Sequence, residues 1–456
     1  MAIVYDTYQR DEAARLLPLL KVGDPRRVVA LHEAQAITAV QFLAHVERVA
    51  AQLPEASAAV NLCEDRYAFL VAFCAIAMRG QANLLPPSRA PQAVEEVLTA
   101  HPGCHAVGDR VLHPAPRNYH VLPPLPVEDT APDDLVWPSI SALQTVAVGY
   151  TSGSTGTPRP NAKSWRSLHA STAGNLRMLQ QVVGEGFSVV ATVPPQHIYG
   201  VEMSILLPLL GEVQVHSGRP FFPADIASAL DEMPEPRVLV TTPVHLRALV
   251  ASGVTLPPLA AMLSATAPMP PALAAQAEQC FHAPLLEVFG STETCAFASR
   301  RATVDGRWSL YHGVHLHPQP DGTQIEAPQL DVPIVLADIV SLHDEGRSFE
   351  LCGRHADLLE IAGKRASLGD LTRRLLNIPG VEDGVVFQLD EADAIGVRRI
   401  AALAVAPALD EHGILDALRS SIDPVFLPRP LRLVERLPRN ETGKLPRSAL
   451  LDLLRT

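Results

Sequence analysis

Tyr150 to Lys163 reads Y-T-S-G-S-T-G-T-P-R-P-N-A-K. It follows Thr145–Val148, a β-branched and small apolar run that predicts a strand end. Gly153 and Gly156 remove side chains where a backbone must turn sharply or come close to a ligand. Thr151, Ser152, Ser154, Thr155 and Thr157 line the turn with hydroxyls. Successive N–H groups in such a loop form a concave nest for anions, so phosphate is the expected guest. No Gly-Lys-Ser/Thr closes the run, so it is not the usual P-loop. A flexible Ser/Gly linker would share its composition. The preceding strand and Pro158 instead bracket a defined turn.

Around this loop lies a chain of 456 residues, enough for two or three domains and a large core. Apolar residues make up 47% and charged residues 19%, the composition of a globular enzyme. A net charge of −12 argues against a nucleic-acid partner held by general electrostatics. The six cysteines form neither a C-x-x-C pair nor a close His/Cys cluster, which argues against structural zinc. Their scatter suits a reducing cytosol, and the expected location is cytoplasmic. The first residues, M-A-I-V-Y-D-T-Y-Q-R-D-E, carry no signal-peptide pattern, and no apolar run is long enough for a membrane span.

Periodicity predicts an α/β chain. Thr38–Leu53 and Asp65–Met78 have helical spacing, the second more apolar and so more buried. Ala82–Leu85 reads as a strand, Leu122–Pro138 as a proline-rich connector, and Ser167–Val182 as a helix. Val189–Gly200 is a buried strand running into Pro-Pro, so His197 and Tyr199 fall at a strand end, where α/β sheets place ligand contacts. A half-buried His197 paired with a backbone carbonyl would look the same. Val238–Thr242 is another strand. Leu285–Ala296 reads L-L-E-V-F-G-S-T-E-T-C-A. Phe289 offers an aromatic face, Gly290 permits a turn, and Thr292 and Glu293 are hard oxygen ligands suited to Mg²⁺ and phosphate. The last hundred or so residues alternate as a small α+β unit: helix Asp370–Asn377, strands Val381–Leu389 and Ile400–Ala406, helix Ile414–Ser421 and strand Leu431–Val434. Near the end, Lys444 follows Gly443 in a tight turn that can present its ammonium at a loop tip.

These stretches, in this order, resemble the adenylate-forming superfamily: acyl-CoA synthetases, aryl-CoA ligases, luciferases and peptide-synthetase adenylation domains. The glycine- and hydroxyl-rich loop matches its phosphate signature. F-G-S-T-E matches Tyr-Gly-x-Thr-Glu with Phe289 for Tyr, and L-P-R-N-E-T-G-K-L-P-R matches its closing motif. The resemblance spans roughly residues 40 to 450. It implies a large N-terminal nucleotide- and acid-binding domain of several subdomains with mixed sheets, residues 1–353. A mobile α+β C-terminal domain, residues 354–456, would follow.

The resemblance also assigns roles. Thr151–Thr157 would hold the ATP phosphates, and Lys444 would bridge the acid and the α-phosphate. Glu293, with Thr292, would hold Mg²⁺. Phe289, Gly290, Ala265 and Thr266 would border adenine. Asp338 would take the ribose hydroxyls, since one carboxylate accepts from two vicinal hydroxyls, and Arg354 would contact ribose or phosphate. The acid would lie among His197, Tyr199, Gly200, Thr241, Ala267, Cys295 and Ala296. No charged residue waits there for an amino group. The compact walls are similar to those of aryl-acid ligases, and the chain as a whole resembles the compact ligases of aryl-polyene and xanthomonadin-type pigment pathways, which load an acyl carrier protein.

The implied reaction is ATP-dependent formation of an acyl-adenylate, with pyrophosphate released. Transfer to the thiol of CoA or of a carrier protein's phosphopantetheine follows. A hydroxybenzoate-like acid is the expected substrate, and a medium- or long-chain fatty acid is the alternative. Ala356, Glu360 and Pro160 depart from the family pattern and suggest a rival, a non-catalytic nucleotide-binding relative. A kinase or phosphatase using the same loop is a further rival and would release ADP or phosphate.

Overall fold

The computed structural model describes residues 15–126, 136–152, 158–319, 322–354, 358–361, 364–392, 398–439 and 445–455. A hairpin of β1 (Val28–His32) and β2 (Gln35–Thr38) leads into helix α1 (Ala39–Ala50). Thr38 starts that helix with a capping box: its hydroxyl accepts the Gln41 amide while the Gln41 side chain reaches back. Asp65 caps α2 (Arg66–Met78) by accepting from the Ala68 amide at 2.8 Å. Every residue of α2 from Arg66 to Ala77 is buried. A helix apolar all round belongs inside, and α2 fills the space between two sheets.

The first sheet has six strands. They are β3 (Ala58–Asn61), β4 (Ala82–Leu85), β5 (His105–Gly108), β6 (Tyr119–Val121), β7 (Thr145–Ser152) and β8 (Pro158–Ser164), in the order β8-β7-β4-β3-β5-β6. Only β8 runs antiparallel to its neighbour, forming a hairpin with β7 at the sheet edge. Helix α3 (Trp165–Val183), capped by Ser164, carries the chain away from it.

The second sheet has eleven strands. Beyond β1 and β2 they are β9 (Ser188–Ala191), β10 (Gln214–His216), β11 (Arg237–Thr241), β12 (Ala261–Ser264), β13 (Leu285–Ser291), β14 (Cys295–Arg300), β15 (Trp308–Leu310), β16 (Asp338–His343) and β17 (Ser348–Arg354). Their order is β16-β17-β15-β14-β13-β12-β11-β9-β10-β1-β2. The central strands β1, β10, β9, β11, β12 and β13 are parallel. The near-continuous apolar sequences of β9, β11 and β12 reflect burial on both faces. The sheet turns antiparallel from β14 onward. Helix α4 (Pro243–Ser252) follows β11, capped by Thr242.

Toward the C-terminus, helix α5 (Leu368–Leu376) packs on β18 (Asp383–Ala392). With β19 (Arg398–Val405) and β20 (Leu431–Leu433) this strand forms a three-stranded sheet. One apolar cluster includes Leu371, Leu375, Val386 and Ile414; another includes Phe387, Leu403, Leu437 and Leu450. Both draw on residues from 359 onward alone. Asp383 accepts from Arg439 at 2.7 and 3.0 Å and also meets Arg247 of α4 at 3.3 Å. The architecture is mixed α/β with large sheets. Among the described residues no helix is long and apolar enough to cross a membrane, and no group of three or more His, Cys, Asp or Glu gathers as a metal site.

Candidate active site

Several of the residues singled out from the sequence lie at one edge of the second sheet, beyond the C-terminal ends of its parallel strands. His197 and Tyr199 follow β9. Thr241 ends β11, Ala265–Ala267 follow β12, and Phe289 and Gly290 lie at the end of β13. Open parallel sheets bind ligands at this edge, because the connections to following helices leave a crevice there. The loop after β12 is bent, with Thr266 exposed at φ +79°.

The β7–β8 hairpin meets this edge through the turn between β13 and β14. A Cβ built on Gly149 of β7 would fall 2.7 Å from Thr292 Cγ2. Lys163 Nζ of β8 donates to the Glu293 carbonyl. The turn is closed internally: the Ser291 amide donates to Thr294 Oγ1 at 3.0 Å, and the Thr294 amide donates to Ser291 Oγ at 3.3 Å. Gly290 is obligatory, since a Cβ there would lie 2.2 Å from the Cys295 carbonyl oxygen. Cys295 itself has φ +58°, a left-handed conformation that costs a residue with a Cβ about 1–3 kcal/mol. Thr292 and Glu293 are half-buried, and the Glu293 carboxylate pairs with no described residue. An uncommitted carboxylate beside a threonine hydroxyl fits an ion that keeps most of its waters, as Mg²⁺ does.

The crevice walls are mostly committed elsewhere. Tyr199 is buried and its hydroxyl donates to the Leu263 carbonyl at 3.0 Å. Burial raises its pKa well above the usual phenol value. Gly200 packs on the Pro194 carbonyl, where a Cβ would come within 2.0 Å. Thr241 Oγ1 accepts from Thr192 Oγ1 at 3.1 Å. His197 is half-buried at the start of a short helix, Ile198–Val201. Cys295 and Ala296 are buried in the central core. Burial, with Glu202 adding to it, pushes the Cys295 thiol up to about 12, so it is no nucleophile at neutral pH. Two buried polar atoms at this edge, Gln196 Oε1 and Ser264 Oγ, have no partner among the described residues.

Phe289 packs in an aromatic group, with ring centroids 5.4 Å from Phe297, 5.1 Å from Trp308 and 5.7 Å from Phe349. Asp338 and Arg354 are directly opposite each other across β16 and β17. Thr151 and Ser152 end β7. Gly153, Ser154, Thr155, Gly156, Thr157, Ala356 and Lys444 lie outside the described residues. Pro160 sits opposite Tyr150 in the hairpin, and Glu360 belongs to the strand Leu358–Ile361.

The buried charges Arg66, Lys163 and Glu202 are among those that carry no assigned role in the sequence. Arg66 donates to the carbonyls of Ala191 at 2.7 Å and Val193 at 2.9 Å, which fixes the exit of β9. Burial, aided by Arg219, draws its pKa down to about 9. Lys163 and Glu202 are the other two, 5% and 2% exposed. The available signal was a lone charge inside an apolar run: Glu202 stands in Y-G-V-E-M-S-I-L-L, and Arg66 opens a helix otherwise free of charge.

Comparison with known proteins shows the family and the fold. The family model described as AMP-binding enzyme matches residues 21–326. A 4-coumarate–CoA ligase from Rhodobacter capsulatus is 30% identical over 302 residues, 65% of this chain and 74% of that protein. Among solved structures, ATP-bound MatB from Rhodopseudomonas palustris superposes with a TM-score of 0.78 at 18% identity, covering 95% of this chain and 97% of that one. The o-succinylbenzoate CoA synthetase MenE of Bacillus subtilis, in complex with its acyl-adenylate intermediate, gives 0.77 at 18% identity over 93% and 95%. At such identities the two structures speak for the fold, while the family model covers more than half the chain. The chain belongs to the AMP-binding enzyme family.

Proposed function

We propose that this protein is an AMP-forming acid–thiol ligase acting on an aromatic, hydroxybenzoate-like acid. The observation that carries this reading is the meeting of the β7–β8 hairpin with the Thr292–Glu293 turn at the ligand edge of the parallel strands. It sets the strands flanking the glycine-rich loop against a carboxylate that pairs with no described residue. The relatives' activities support the aromatic acid, as do the small residues Gly200, Ala267 and Ala296 in the walls beside two buried polar atoms without a partner among the described residues.

In this account the substrate carboxylate is already ionised at neutral pH, so no general base is needed. One carboxylate oxygen attacks the α-phosphorus of ATP. A C–O–P bond forms, the bond to the bridging α–β oxygen breaks, and pyrophosphate leaves. Catalysis is then positioning and charge neutralisation. Thr151–Thr157 hold the phosphates and Lys444 bridges the acid and the α-phosphate. Phe289, Gly290, Ala265 and Thr266 border adenine, Asp338 takes the ribose hydroxyls, and Arg354 reaches ribose or phosphate. His197, Tyr199, Gly200, Thr241, Ala267, Cys295 and Ala296 surround the acid. Mg²⁺ held by Glu293 and Thr292 would offset charge on the departing pyrophosphate. In the second step a thiolate attacks the acyl carbonyl and AMP leaves. Residues 354–456, with apolar clusters of their own, form the unit that moves between the steps. The acceptor is CoA or the phosphopantetheine arm of a carrier protein.

A product assay over aromatic and fatty acids tests this, with CoA and a loaded carrier protein compared as acceptors. The expected result is acid-dependent AMP and pyrophosphate, fastest with a hydroxybenzoate-like acid. Preference for a medium or long fatty chain would replace the aromatic assignment. ADP as product, or no turnover with any acid, would overturn the ligase reading.

A further inference from the structure

Lys163 lies on an edge strand yet is almost fully buried. Its side chain leaves β8 and donates to the carbonyl of Glu293. Glu202 approaches the same turn from a different element, the start of a π-turn (Glu202–Leu206) after the His197–Tyr199 segment. π-Turns within helices often mark functional sites. The Glu202 carboxylate accepts the Ala296 amide at 3.1 and 3.2 Å, Asn175 Nδ2 at 3.1 Å, and the Ser171 hydroxyl. The two side chains therefore grip the turn on both sides of the strained Cys295, one at the carbonyl of residue 293 and one at the amide of residue 296. They also interact electrostatically with each other. Burying a charge is costly, and the hydrogen bonds each side chain makes to the turn, with a small mutual attraction, offset that cost.

We infer that Lys163 and Glu202 form a buried clamp that sets the backbone of the Thr292–Glu293 turn, and are positioning residues for the triphosphate end of the reaction. The inference rests on the role proposed above for that turn. The β13–β14 ladder already pairs Phe289 with Ala298 and Ser291 with Cys295. Pairing the two strands thus does not require the clamp. What the ladder leaves undetermined is the direction in which the turn presents Thr292 and Glu293. A left-handed Cys295 persists only where its surroundings impose it. Gripping the carbonyl two residues before it and the amide one residue after it does so. Functional constellations depend on such support, because ligands must be held within a fraction of an ångström.

The test is equilibrium binding of MgATP to the full chain by calorimetry, with adenylation kinetics and melting curves in parallel. The variants are K163M, K163R, E202Q, the double K163M/E202Q, and E293Q. Loss of a supporting partner commonly weakens a metal site about 10–100-fold. K163M is expected to weaken MgATP binding by about ten-fold or more and to raise its KM, with the KM for the acid unchanged. K163R should restore most of the affinity, which general loss of packing would not allow. The double variant removes both buried charges together, so it should melt near wild type and still bind MgATP weakly. Should K163M fail to fold, the double variant carries the test. A folded variant lacking Lys163 that binds MgATP like wild type, while E293Q is weakened, would overturn the clamp alone. E293Q binding like wild type would overturn the role of the turn, and the clamp's role with it.

Discussion

Gly149 lies directly beneath Thr292: a single added carbon on the glycine would sit 2.7 Å from the threonine methyl. One residue belongs to the strand that enters the glycine-rich loop, the other to the turn that carries Glu293. Their contact fixes the distance between the two. Gly149→Ala is therefore expected to lower stability by about 1–3 kcal/mol and to raise the KM for ATP. Thr292→Ser, which removes the opposing methyl, should recover stability in the Gly149→Ala background. A double-mutant cycle of melting and ATP kinetics checks both, and simple additivity would count against the contact.

Phe289 is expected to serve ATP and the core together. Its ring joins Phe297, Trp308 and Phe349, so Phe289→Ala should cost about 2–4 kcal/mol of stability. It should also raise the KM for ATP, while Phe289→Tyr should preserve both. A fall in melting temperature without any change in ATP affinity would confine the ring to the core.

His105 should make stability depend on pH. It is 2% exposed, and its Nε2 donates to Gln81 Oε1 at 2.9 Å. Burial, with His120 adding to it, lowers its pKa from 6.5 to about 4. The unfolded chain therefore takes up the proton first as pH falls. Its contribution is complete above pH 6.5 and is lost as pH falls toward 4, by up to about 3 kcal/mol. His105→Gln should flatten that part of the stability–pH curve. An unchanged slope in denaturant titrations at pH 7 and pH 4.5 would contradict the assignment.

Lys444 should separate the two half-reactions. Lys444→Ala is expected to slow adenylate formation by about 100-fold or more, yet to leave transfer from a supplied acyl-adenylate to thiol nearly intact. Single-turnover measurements of each step decide the matter, and equal loss of both would count against the assigned role.

Much of the frame was legible because local signals agreed with the fold. Ala82–Leu85 is a strand over the residues its pattern predicts, and Thr38 and Asp65 cap the two helices whose spacing announced them. The predicted strand Val238–Thr242 appears one residue earlier, as Arg237–Thr241, because Thr242 becomes the cap of α4. Short runs such as Phe289–Glu293 stand out in the sequence by residue type alone, and the structure sets this one at the C-terminal end of β13. The roles of Lys163 and Glu202 were not legible, even though Glu202 stands out as a lone charge in an apolar run, because their partners lie far along the chain. No periodicity reveals that Lys163 meets the carbonyl of residue 293, or that Glu202 meets the amide of residue 296. The joining of the β1–β2 hairpin to β10 is likewise a long-range event without a local mark.

Isotope exchange between pyrophosphate and ATP, catalysed by the full chain with Mg²⁺ and single acids, decides whether an acyl-adenylate forms. Exchange is expected only when a carboxylic acid is present, strongest with an aromatic hydroxy acid, with AMP as the sole nucleotide product once thiol is added. Exchange without any acid, or conversion of ATP to ADP and phosphate, would contradict the ligase reading.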